Sequence, residues 1–593
     1  MRISYVLNRK DIFPEDQLPD VNVMLQVGKD MAREVTVGDS PFLSLYGVKS
    51  EKEYKEQQVK DGRVMLHGQI GFRSPIKSQD AYKKIYEDIA DAGYRIDRYG
   101  ICLDWSMGYP KKLRAGMPKG TGLILDNEGD FAALTKCAPV APHFGDFVMG
   151  TPAAFENTIA ALKAGSTTIG NIGQFFNFRM PHWNDDITTT AETVKALALC
   201  AAQPVDILIH SNLDDGFSAL FCDLTCSIGA VLIEQYIVDE LIGANISHCY
   251  GHTFSDPLTR LAFQRALERV SINPGSMVYG NTTIYGPNTT VNYSNLASYM
   301  MPDIIGQMTR PTGHGLNPVP VTEALRIPDT QEIIDAHLFT NRLIERTEGF
   351  VPMIDYGVAD DIADTLIEAG TRFKESVLKG LEEAGIDINN PFELLLSIRR
   401  IGAKKLEELY GPGEIDHTQI RNRKPVIKAT TVAELENKAD EVAEFLSAEE
   451  KEIIKDKRFR ACVACTDVHE YGKVLIEAVL NKVDVNVIDG GVSTDPEVVV
   501  KEAQEKSASF IAISTYNGVA LDYITRLRKE LADAGLSLPI FIGGKLNQVK
   551  DDDHSSLPVD VSDDLRQLGV TVCLTVEDLL TELVRMVQGA RYD

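Results

Sequence analysis

The chain of 593 residues carries 86 acidic against 60 basic side chains, a formal net charge of −26, with 44% hydrophobic and 25% charged residues. That composition suits a folded protein of roughly two to four domains. The acidic balance argues against a nucleic-acid or anionic-membrane surface, which needs a basic field. No run approaches the roughly 18 apolar residues of a membrane span, and the opening "MRISYVLNRKDIFPEDQ" lacks the apolar core of a signal peptide, so a cytoplasmic location is expected. Nine cysteines are too few for a disulfide framework in so long a chain.

Strand-like runs recur before helical patterns at 99–104, 121–126, 140–145, 166–173, 205–211, 244–251, 275–281 and 303–308. About eight such units predict a (β/α)8 barrel within residues 1–424, with its active site at the carboxyl ends of the strands. His210, His248 and His252 fall at expected strand ends, where hydrogen-bonded structural roles are expected. Arg73 and Arg98 lie near the start of the barrel and are secondary site candidates. Cys222 and Cys226 have i,i+4 spacing on a helix without a second ligand pair, so they read as packing rather than zinc ligands. Residues 425–458 form a charged amphipathic stretch that reads as a linker of one or two helices.

From residue 459 five apolar strands, "RACVAC", "VDVNVID", "SFIAIS", "PIFIGG" and "VTVCL", alternate with helices. This α/β pattern predicts an open, doubly wound, flavodoxin/Rossmann-like domain over 459–593, with ligands at the carboxyl ends of its strands. Cys462 and Cys465 form a CxxC inside the first strand and read as buried strand residues. The polar residues gather at the strand ends: Asp467-x-His469-x-x-Gly472 after the first, Ser514 after the third, Gly543 and Gly544 after the fourth.

This trio resembles the cobalamin-binding domain of corrinoid mutases and methyltransferases. The resemblance implies that His469 is the metal ligand, replacing the cofactor's own base on cobalt, with Asp467 accepting the other ring N–H. Gly472 lets the first helix pass close to the corrin. Ser514, Gly543 and Gly544 leave a slot for the displaced dimethylbenzimidazole tail.

The barrel resembles the large chain of glutamate mutase in "GTPAAFENTIAALKAGSTTIGNIGQFFNF" (150–178) and "RPTGHGLNPVPVTEA" (310–324). It departs at Phe155, where that family has a carboxylate-binding arginine, and at Asn171, where the family has the glutamate that holds the substrate ammonium. The exchange implies a small dicarboxylate substrate without an amine, since an unpaired buried carboxylate is costly. 2-Methyleneglutarate mutase, which also joins barrel and cobalamin module in one chain, is similar in this respect. The resemblance therefore implies an adenosylcobalamin-dependent radical isomerase interconverting 2-methyleneglutarate and 3-methylitaconate.

Two substrate carboxylates need basic partners, and Arg179 and Arg310 are the candidates at the barrel mouth. By resemblance Arg310 faces the adenosine, and His314 approximates the family's histidine. A corrinoid methyltransferase and a non-catalytic cobalamin-binding regulator are the alternatives, although residues 425–458 are too few for a methionine-synthase-type helical cap. A homo-oligomer is expected, with no nucleic-acid or membrane partner.

Overall fold

Eight crossover units can bury both faces of a parallel sheet only by closing it or by stacking helices on each side, and the two halves of this chain take one solution each. A computed structural model describes residues 7–589 apart from positions 16, 71, 118, 255, 517 and 550–557. The chain divides into two compact units, the first within residues 1–116, 122–177 and 185–431, the second within 117–121, 178–184 and 432–593.

The first unit contains strands β1 (Met65–Ile70), β2 (Arg98–Cys102), β3 (Ala141–Asp146), β4 (Thr168–Ile169), β5 (Leu208–Asn212), β6 (Asn245–Cys249), β7 (Met277–Val278) and β8 (Gly315–Leu316). They form one parallel sheet in the order β6-β5-β4-β3-β2-β1-β8-β7. A single parallel bridge, Tyr250 to Val278, links the ends and nearly closes the barrel. The crossover helices start where short polar side chains offer caps: Ser74, Asp223, Asp256, Asn288 and Asp329 each accept a backbone N–H of the first turn.

Two of the eight expected strands are corrected. Residues 121–126 contribute only an isolated bridge, Leu103 to Leu123. Residues 303–308 lie inside the helix Thr289–Thr309, where Met300 and Ile304 point into the apolar cluster and Asp303 meets the buried Arg260. Their places are taken by β1 and β8, whose sequences are too polar or too short to show an apolar run.

The second unit holds β9 (Arg460–Cys465), β10 (Asn486–Val492), β11 (Phe510–Thr515), β12 (Ile540–Gly544), a short antiparallel pair β13 (Asn547–Gln548) and β14 (Val559–Asp560), and β15 (Thr571–Val572). The main sheet runs β10-β9-β11-β12-β15, all parallel. In this order the chain reverses direction between β9 and β11, the switch point at which doubly wound sheets bind ligands. Alternate residues of β9 feed opposite cores, Ala461 and Val463 on one face, Cys462 and Ala464 on the other.

The stretch 425–458 is more than a connection. Its helices Thr430–Glu444 and Ala448–Lys457 and the turn between them send Ala439, Val442, Leu446 and Ile454 into the same cluster as Val463, Val479 and Leu580, so they complete the second unit's core. Burying each such aliphatic side chain contributes about 1.5–3 kcal/mol. Every cysteine is a free thiol, and Cys462 and Cys465 are buried in their strand. Among the described residues no helix is long and apolar enough to cross a membrane.

Candidate functional site

The inside of the barrel is polar. His67 on β1, His143 on β3 and His210 on β5 meet across it, with ring centroids 6.2 Å and 4.6 Å apart. Glycine occurs where those rings need room: a Cβ at Gly145 would lie 2.7 Å from His143 Nε2, and one at Gly170 2.6 Å from His210 Cβ. Arg98, on β2, is fully buried, donating from Nε to Glu51 Oε1 at 2.8 Å and meeting His67 Nδ1 at 3.2 Å. Burial first, and then the positive charge of Arg98, holds all three imidazoles well below their ordinary pKa, so they are neutral. Below them the helix Glu51–Lys60 closes the amino-terminal end. Lys55 Nζ donates to the carbonyls of Gly275, Ser276 and Gly313, the approaches to β7 and β8.

Arg310 and His314 are corrected by this geometry. Because 303–308 is helical, the residues after it lead into the start of β8 and not out of a strand's carboxyl end. Arg310 ends the helix Thr289–Thr309 and pairs with Glu268 at 3.4 Å. His314 is buried against Thr312 Oγ1 at 2.6 Å, its pKa pushed down to about 3 by burial and by Lys55. Both stand at the end of the barrel opposite the mouth.

Asn171 does lie at the mouth, just beyond β4, but its Oδ1 accepts the backbone N–H groups of Gly173 and Asn212, each at 2.9 Å. That side chain ties together the loops after β4 and β5. His210 bonds to Ser276 Oγ at 2.7 Å, His248 to Glu234 at 2.9 Å and His252 to Thr282 Oγ1 at 3.0 Å. Hydrogen-bonded roles for these three agree with expectation. Arg73 follows β1 at the mouth, whereas Arg98, the first residue of β2, is committed to Glu51 towards the amino-terminal end of the barrel. Arg179 falls in the 178–184 segment of the second unit. Missed from the sequence are the carboxylates of the mouth: Asp146 ends β3, and Asp214 and Asp215 follow β5. Burial, then the neighbouring Asp215, raises Asp214 to about 6.

In the second unit Asp467 and His469, which follow β9, form a compact dyad. His469 Nδ1 lies 2.7 Å from Asp467 Oδ1, which also accepts the backbone N–H of His469 at 2.9 Å. Asp467 Oδ2 takes the Tyr516 N–H at 2.9 Å and the Thr466 hydroxyl at 3.0 Å. Burial alone would raise the Asp467 pKa, but the bonds from His469 and from the backbone bring it down to about 2. An ionised carboxylate can only accept, so the His469 proton sits on Nδ1 and the lone pair on Nε2. A neutral imidazole in that tautomer is a suitable cobalt ligand.

Beside the dyad lies a cavity of about 210 Å³, lined among others by Gly472, Ser514, Gly543, Gly544 and Cys573. A cavity of about 150 Å³ accepts benzene, so this slot has room for a fused bicyclic base. A Cβ on Gly472 would stand 2.5 Å from Ser514 Oγ, and one on Gly543 2.9 Å from the Cys573 carbonyl. Gly544 adopts φ +106°, which side-chain-bearing residues rarely reach. These residues fit a cobalamin whose nucleotide base has left the metal. Tyr516 and Lys545 immediately follow β11 and β12. Residues 459–561 match the family described as the B12 binding domain. Together with the barrel, this match supports cobalamin as the cofactor and a cobalamin-dependent enzyme as the class.

Proposed function

We propose that the protein is an adenosylcobalamin-dependent radical isomerase acting on a small carboxylic acid. The observation that carries this reading is the pairing, in one chain, of an eight-stranded barrel with an Asp467–His469 dyad beside a base-sized slot. The adenosyl cofactor supplies a carbon-centred radical when bound. His469 Nε2 serves as the metal ligand, Asp467 holds the proton on Nδ1, and Gly472, Ser514, Gly543 and Gly544 shape the tail slot. The barrel positions substrate and excludes water and competing hydrogen donors. His67, His143 and His210 are held neutral inside it, and the isomerisation needs no general base.

For the substrate, the first reading is 2-methyleneglutarate converted to 3-methylitaconate, which rests on Asn171 in place of an acidic residue. Arg73 after β1 then takes the carboxylate-binding part expected of Arg310. A second reading, an acid that also bears an ammonium group, is favoured by Asp146, Asp214 and Asp215 at the strand ends. Anaerobic reconstitution with adenosylcobalamin, followed by electron paramagnetic resonance on adding 2-methyleneglutarate and then glutamate, decides between them. A coupled cobalt(II)–organic radical spectrum with either supports the isomerase. Demethylation of a donor by the methylcobalamin-loaded protein, without such a spectrum, overturns it in favour of a methyltransferase.

A further inference from the structure

Asp467 fixes one edge of the His469 imidazole but leaves the ring free to tilt about that hydrogen bond. The face of the ring is held by something else. Tyr516 lies against it with centroids 4.4 Å apart and an interplanar angle of 32°. The same residue gives its backbone N–H to Asp467 Oδ2, so a single residue touches both members of the dyad. Tyr516 is in turn held by Lys545. Lys545 Nζ stands 4.3 Å from the centre of its ring and donates to its hydroxyl at 3.1 Å. Tyr516 follows β11 and Lys545 follows β12, neighbouring strands paired from Ile511 with Ile540 through Thr515 with Gly544. The support for the imidazole is thereby tied to the strand ends that line the tail slot.

Building on the reading of His469 as cobalt ligand, we propose that Tyr516 and Lys545 are positioning residues for it: the tyrosine ring sets the tilt of the imidazole, and the lysine locks the tyrosine. The physical basis is that metal affinity depends on how well the donor lone pair is aimed, and groups that orient a ligand without touching the metal commonly alter affinity by about 10–100-fold. A cation over an aromatic face is attractive and directional, and the hydroxyl bond fixes the ring's remaining freedom.

The test uses the full-length protein loaded with cobalamin in the cobalt(II) state. Affinity is read by absorbance titration, and the bound fraction ligated by histidine by the nitrogen splitting in electron paramagnetic resonance. Tyr516→Leu should weaken binding by about 10-fold or more and move bound cofactor to a state without histidine ligation. Tyr516→Phe, which keeps the ring, should restore most of the ligated fraction, and Lys545→Met should fall between them. Cobinamide, which has no nucleotide tail, should lose affinity in the same order.

If Tyr516→Leu fails to fold, Lys545→Met carries the test, and an unchanged ligated fraction in it overturns the proposal. A loss for cobalamin but not for cobinamide in Lys545→Met also overturns it, because the lysine would then act on the tail. Parent protein without a His469-dependent spectrum would refute the cobalt assignment itself, a result separable from failure of these two variants.

Discussion

Both units enclose histidines beside carboxylates or cations, yet they use them in opposite ways. In the barrel, His67, His143 and His210 fill the interior, kept neutral by burial and by Arg98. At the end of β9, His469 remains partly exposed, gives Nδ1 to Asp467 and keeps Nε2 as a donor atom. The difference lies in what surrounds each ring. Burial, reinforced by a buried cation, keeps the barrel imidazoles neutral, whereas the Asp467 carboxylate holds the His469 proton on Nδ1 and leaves the Nε2 lone pair open.

The strongest way to break that comparison is Arg98→Met. It leaves the Glu51 carboxylate buried without its nearest cation, and loss of one member of a buried pair costs about 3–5 kcal/mol. Denaturant unfolding should show this loss while cobalamin affinity stays near that of the parent. An affinity loss without a stability loss would mean that Arg98 serves the cofactor and not the barrel.

Acid should act next, and mainly on the barrel. A histidine whose folded pKa is depressed contributes stability that is present above its unfolded pKa, near 6.5, and is lost as the pH falls below that value. His67, His143 and His210 are all shifted in that direction. Each should lower stability by about 1.4 kcal/mol per pH unit, offset in part by Asp214 and Glu407, whose raised pKa values of about 6 and about 7 make the fold take up protons in the same window. Urea unfolding between pH 7.5 and 5.5 measures it. Asp467, held at about 2, should add its own loss only as the pH falls from about 4 towards 2.

A smaller effect is expected from Asp467→Asn. The amide can donate to Nδ1 and so favour the tautomer with its proton on Nε2, which cannot bind a metal. Cobalamin affinity should fall by about 10–100-fold, with little change in the unfolding midpoint of the barrel. A large barrel destabilisation would contradict the separation of the two roles.

The candidate cofactor site is legible in sequence because its partners are local. Asp467 and His469 are two residues apart, and the serine and glycines follow strands that a period of alternating elements locates. The barrel count was legible for the same reason, but its membership was not. Six residues of helix at 303–308 carry an apolar run that periodicity cannot tell from a strand, and that misreading carried Arg310 and His314 to the wrong end. The histidine layer left no local signal. Its bonds span 31 residues from His67 to Arg98 and 66 from His210 to Ser276. Nor could pattern reveal that Asn171 spends its oxygen on Gly173 and Asn212, or that Asp214 and Asp215 stand at the mouth.

The most direct test of the cobalt site is the cobalt(II) spectrum of protein labelled with 15N-histidine and loaded with unlabelled cobalamin. Ligation by His469 predicts nitrogen splitting that changes from the 14N to the 15N pattern on labelling and disappears in His469→Ala. Splitting that stays in the 14N pattern, supplied by the cofactor's own base, would contradict the assignment.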